Sequence, residues 1–123
     1  MNEPNAPQEQ VRIVQETVAG KEITLAHIIG GPAPIVYVKL GLNPNIDYSS
    51  SAIGVMNMTP PESVVIASDI AVKSGEIYLG FADRFSGTLI FTGLISDVEA
   101  AIHSILAYLE GTLGFTVCAV TRT

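Results

Sequence analysis

The residues that could bind a metal or attack a substrate are few and scattered. Two histidines, His27 and His103, and one cysteine, Cys118, are the nitrogen and sulfur ligands of the 123-residue chain, and no two stand at a short ligand spacing. A metal centre needs several such groups converging, so no metal or cofactor is expected. His27 lies in the apolar run "EITLAHIIGG" and reads as a hydrogen-bonded structural histidine. His103 follows Glu99 by four residues, the spacing of an exposed helical ion pair. Ser86-Gly87 is the nearest thing to a nucleophile motif, without a G-x-S-x-G elbow. Gly30-Gly31-Pro32 lacks the spacing and the lysine of a phosphate-binding loop. Asp69, Asp83 and Asp97 share no spacing signal. No catalytic residue is therefore expected. What remains is "GFADRFSGTLIFTG", residues 80–93, where Asp83 and Arg84 interrupt two apolar runs. Alone, this reads as a surface turn with a local ion pair worth about 0–1 kcal/mol. On a symmetry axis it would repeat around a ring, and clustered Arg84 side chains would require Asp83 or an anion as counter-charge.

Composition limits what else the chain can do. Six basic against twelve acidic residues give a net charge of −6 with no basic stripe, which argues against nucleic acid as a partner. The single cysteine excludes an internal disulfide and fits a reducing compartment. No apolar run reaches the ~18 residues of a membrane span, and "MNEPNAPQEQ" lacks the pattern of a signal peptide, so a cytoplasmic protein without a membrane partner is expected. Charged residues make up only 15%, below the ~25% usual for soluble domains. So little charge suggests surface covered by other copies or partners.

The elements that must position these residues follow from periodicity. Residues 1–10 are polar and Pro-containing and read as a disordered tail. "VRIVQETV", 11–18, reads as a strand with Val11, Ile13 and Gln15 on one face. A second strand is expected from Ile23 to Ile29, a short helix within 32–42 ending near Gly41, and a loop over 43–51. From 52 to 121 the order is strand 52–58, helix 64–74, strand 76–81, strand 87–93, helix 96–111 and strand 114–121. Thr59 with Glu62, and Ser96 with Glu99, have the spacing of capping boxes. Val98, Ala101, Ile102, Ile105, Leu106 and Leu109 recur at helical spacing as a core face. This β-α-β-β-α-β order is that of a ferredoxin-like α+β sandwich, an antiparallel-rich sheet with both helices on one face. The other face is left for a partner or for residues 23–41.

The run from "SAIGVMNMTPPESVVIASDIAVKSG" through "EIYLGFADRFSGTLIFTG" to "LISDVEAAIHSIL" resembles the bacterial microcompartment (BMC) shell domain. "VAGKEITLAHIIGGPAPIVYVKLGL" resembles the strand and helix that ordinarily come last in that domain, yet here stands first. That order resembles the circularly permuted shell proteins of the ethanolamine-, propanediol- and choline-utilisation type, over residues 11–123. "GKEITLAHIIG", "DIAVKSG", "GFADRFSG" and "CAVTRT" are the specific pieces. The resemblance implies a permuted BMC domain over 19–123, and a non-enzymatic building block. It implies a homohexamer that joins other shell proteins, and encapsulated enzymes, in a cytoplasmic microcompartment shell around a pathway with an aldehyde intermediate. It further implies that Arg84, Phe85, Ser86 and Gly87 line a central pore, that Lys73 lies at the tile edge, and that strand 11–18 joins a six-stranded pore-capping barrel.

The alternative from a different class is a small-metabolite-binding regulatory or enzymatic oligomer of ferredoxin-like fold. Basic groups converging with carboxylates would favour it, and only Arg84 and Asp83 are candidates. A dimer or trimer with saturable metabolite binding would select it over the tile.

Overall fold

In the computed structural model, residues 20–123 are described, so the expected tail 1–10 and the strand 11–18, with Val11, Ile13 and Gln15, lie outside the described residues. Among the described residues, five strands form one sheet. β1 (Glu22–Gly30) is followed by α1 (Pro34–Lys39), β2 (Ser51–Thr59), α2 (Ser63–Lys73), β3 (Tyr78–Asp83), β4 (Thr88–Leu94), α3 (Ile95–Gly111) and β5 (Thr121–Arg122). The spatial order is β3-β4-β2-β1-β5, antiparallel throughout except for the parallel β1–β5 pair.

Strand periodicity of two decides which side chains enter the core. In β2, Ala52, Met56 and Met58 point to the helical layer while Ile53 and Val55 point to the opposite face. β2 is the central strand, flanked by β1 and β4, and so it reads as a nearly unbroken apolar run. In β1 the buried set is Ile23, then Ala26 and Ile28; a register shift between Ile23 and Leu25 accounts for the change of parity. Gly54 is needed where Phe91 crosses the sheet, because a Cβ there would lie 2.7 Å from the ring.

The principal core lies between the sheet and the paired helices α2 and α3. All six α3 residues expected from helical spacing are buried, and they pack with Val64, Ala67 and Ala71 of α2 and with Leu89 and Phe91 of β4. Each large apolar side chain enclosed in this way contributes about 1.5–3 kcal/mol. The opposite face is covered at one end only, where Tyr37 and Leu42 pack on Ile53 with Val55 and Ile90 alongside. The reading of that face as open to residues 23–41 is thus resolved by division. Residues 22–30 are a strand of the sheet itself, and α1 is the cover.

Three local expectations are corrected. Neither capping box forms: α2 begins at Ser63 with Glu62 as its cap, α3 begins at Ile95 with Leu94 as its cap, and neither cap residue makes a side-chain hydrogen bond. Thr59 remains the last residue of β2, and Ser96 already lies within α3. The expected strand 114–121 pairs only at Thr121–Arg122, with an isolated bridge from Thr116 to Glu22. Between these points Val117, Cys118 and Val120 pack partly buried against the core, which takes precedence over a continuous ladder. Glu99 does not pair with His103; its carboxylate accepts from Arg122 at 2.5 Å. Among the described residues no helix is long and apolar enough to cross a membrane.

Candidate functional site

The hairpin between β3 and β4 carries the polar cluster. Its turn, Arg84–Gly87, closes because Gly87 adopts φ +78°, and Gly87 N–H donates to the Asp83 carbonyl at 2.9 Å. A left-handed conformation favours glycine, and space enforces it too, since a Cβ at Gly87 would lie 2.1 Å from the Met58 carbonyl oxygen. The same carbonyl edge explains the close approach: Met58 N–H donates to Gly87 O at 2.9 Å, docking the turn against the end of β2.

Asp83 and Arg84 do not form the ion pair expected of them. The Asp83 carboxylate accepts the Phe85 N–H at 2.9 Å, and this bond, with help from Ser86, holds its pKa below the usual aspartate range. Arg84 instead lies over the Phe85 ring, 4.8 Å from its centroid. Phe85 is 79% exposed, so the turn presents a cation stacked on an aromatic ring to its surroundings. Ser86 Oγ donates to Thr88 Oγ1 at 3.2 Å. Arg84, Phe85, Ser86 and Gly87 are therefore contiguous on one tight turn.

Sequence reasoning missed the support beneath this turn. Asn57 Nδ2 donates to Thr88 Oγ1 (3.2 Å) and to Ser86 O (3.4 Å), while Asn57 Oδ1 accepts from Thr24 Oγ1 (3.3 Å). One amide thus ties β1, β2 and the hairpin together. The available signal was an asparagine inside the apolar run "AIGVMNM". The character of β3 was also missed. It is an edge strand, opposite β5 across the sheet, and Tyr78, Leu79 and Phe81 are all exposed along it.

Lys73 stands at the other end of the molecule. It ends α2, with its ammonium 2.8 Å from Asp69 one turn earlier, and both side chains are exposed. The chain after α2 passes Gly75, against Asp97 of α3, and Glu76, against Gly93 of β4, near where Ser51 pairs with Leu94. The turn lies at the Met58 end of the nine-residue β2 and Lys73 near its Ser51 end, so the length of the strand, roughly 30 Å, separates them. His27 takes the structural role expected of it: its ring nitrogens bond to Thr121 Oγ1 (2.6 Å) and Thr123 Oγ1 (3.0 Å), fastening the C-terminal residues to β1. No group of three or more His, Cys, Asp or Glu residues suited to a metal ion occurs among the described residues.

The BMC domain family model matches residues 52–121. The chain is 45% identical to the bacterial microcompartment shell protein PduU of Salmonella typhimurium, over 91% of this chain and 93% of that one. It is 44% identical to the shell protein CutR of Streptococcus intermedius, over 90% and 91%. Among solved structures, a CutR flat hexamer superposes with a TM-score of 0.77 at 42% identity, covering 85% of this chain and 92% of that chain. A CutR screw form gives 0.77 at 42%, covering 85% and 99%. A fused permuted hexameric shell protein from the RMM microcompartment gives 0.62 at 26%, covering 78% and 49%. The matched domain begins at β2, while β1 and α1, which precede it, complete the same sheet and its second face. The chain belongs to the circularly permuted BMC-domain shell proteins, structural proteins rather than enzymes, whose place is the shell of a bacterial microcompartment.

Proposed function

We propose that six copies of this chain close into a ring in which the turn Arg84–Gly87 surrounds a central opening and Lys73 lies at the outer edge. The observation that carries this reading is the uncovered apolar edge strand β3, which runs directly into the turn. Three large hydrophobic side chains on an unpaired edge are a liability in an isolated chain and an interface in a ring. The separation of the turn and Lys73 by the length of β2 supports an inner and an outer position for them. The described chain starts at Gly20, immediately before β1, and Glu22 pairs with Thr59, at the same end of the sheet as the turn. A strand over 11–18, with Val11, Ile13 and Gln15 on one face, is thus attached where it can join a six-stranded barrel over the opening.

Such tiles join one another and other shell proteins, and face encapsulated enzymes, around a pathway with an aldehyde intermediate of the ethanolamine, propanediol or choline type. CutR forms described as flat hexamer and as screw, at 42% identity, support a self-associating tile. Light scattering tests the ring: six chains of 13.0 kDa give a particle of about 78 kDa. A stable monomer or dimer as the end state overturns it.

A further inference from the structure

A cleft opens at the end of the sheet opposite the turn, between α1 and the loop that leads into β2. Its volume is ≈ 770 Å³, within the usual range for sites that take small molecules. Pro32, Val38, Leu42 and Pro44 give it apolar walls, and Tyr48 backs it, stacked on Tyr37 with ring centroids 4.2 Å apart and planes 7° from parallel. Hydrogen bonds shape the walls. Tyr48 Oη donates to the Asn43 carbonyl at 2.9 Å, Asn43 Oδ1 accepts the Asn45 N–H at 2.9 Å, and Ser51 N–H donates to Tyr48 O at 3.0 Å.

The charge of the lining is one-sided. Asp47 is the single ionisable carboxylate there, and among the described lining residues there is no Lys, Arg or His. Ser49 N–H donates to Asp47 Oδ1 at 3.0 Å, and this bond holds the carboxyl below the usual aspartate range, so the group is ionised at neutral pH. Arg122, in the adjoining recess by Ser50 and Ser51, is already paired with Glu99. Tyr48, with the exposed Asp47 carboxylate at the rim of the apolar walls, attracts a cation whose charge is spread over alkyl groups and weakly hydrated.

From this combination we infer that the cleft is a binding site for a small organic ammonium cation with an apolar body. The inference does not rest on the ring assembly proposed above. The cation sits against Tyr48 within reach of Asp47, and the apolar body lies on Val38, Leu42 and the prolines.

Titration of the full chain with benzyltrimethylammonium chloride at constant ionic strength tests the inference, with benzyl alcohol as the neutral comparison. With four tyrosines and no tryptophan, intrinsic fluorescence reports on the tyrosines directly, and ligand-observed NMR confirms contact. Saturable binding is expected, with the cation preferred by about threefold to tenfold. Asp47→Asn, which keeps an oxygen for the Ser49 N–H, should abolish the preference, and Tyr48→Leu should weaken both probes. Should Tyr48→Leu fail to fold, Asp47→Asn and the pair of probes still decide the matter. Equal binding of the two probes, or a preference that survives in Asp47→Asn, overturns the proposal. So does probe binding that disappears as protein concentration rises, because the cleft would then belong to a neighbouring copy.

Discussion

At the scale of single residues, the hairpin turn depends on two demands that reinforce each other. Gly87 must be left-handed, and it must leave room for the Met58 carbonyl. Gly87→Ala is expected to cost about 2 kcal/mol or more, since strain and a backbone clash coincide; chemical denaturation of mutant and parent measures it, and an unchanged midpoint would contradict the geometry. Asp83 adds a pH dependence. Its pKa is depressed in the folded chain, chiefly by the Phe85 N–H, so its stabilising contribution is complete above the ordinary aspartate value. That contribution is lost as pH falls through the lower folded value. Protection factors of the turn amides, corrected for the intrinsic pH dependence of exchange, should therefore fall on acidification through that window in the parent, and not in Asp83→Asn. The adjacency of Asp83 and Arg84 was plain in the sequence, but their lack of mutual pairing was not. The carboxylate is taken up by a backbone N–H two residues on, and the guanidinium by the ring next to it, outcomes that only the turn conformation decides.

At the scale of elements, the sequence was most informative where periodicity was strong. The face of α3 was readable in full, because a 3.6-residue repeat sustained over about three turns fits a helix and not a strand. Helix starts were not, because the cap motifs at Thr59 and Ser96 compete with strand pairing on one side and with an earlier helix start on the other. The apolar run before Asp83 showed a strand but could not show that it lies at the edge, since edge position is a property of the sheet order rather than of the strand. At this scale Lys73 offers a clean test. Its contact within the chain is with Asp69 on the same exposed helix face, so Lys73→Ala should change folding stability by no more than about 0.5 kcal/mol. Lateral assembly should weaken while each ring stays intact, as scattering and microscopy can show. Unaltered sheets or tubes would remove Lys73 from the tile edge.

At the scale of the whole molecule, the order of segments was legible because particular stretches, "GKEITLAHIIG" and "GFADRFSG", carry the family's pattern in exchanged positions. The exchange is physically mild. β1 enters the sheet between β2 and β5, and the segment holding α1 returns to cover Ile53, so the two exchanged elements complete the sheet and its second face. The cleft behind Tyr48 was not legible, because no periodicity marks a loop whose shape depends on a stacked aromatic pair. The principal core is built from residues between Ile23 and Phe115, so removal of residues 1–18 should leave a folded oligomer. Circular dichroism and light scattering check this together, and loss of helical signal would show that the removed segment is integral to the fold.

The two margins of the sheet differ in what they offer. Along β1, the C-terminal residues occupy the main-chain groups at both ends: Thr116 exchanges hydrogen bonds with Lys21 and Ile23, and Thr123 with Ile28 and Gly30. Arg122 and His27 clamp that strip in place. The margin at β3 carries no such strip. Among the described residues the sheet therefore offers one free margin, and strand pairing through β3 alone terminates once two copies have met. An endless ribbon cannot propagate through it. Beyond such a pair, the folded sheet meets further copies through side chains, whose contacts single substitutions can weaken.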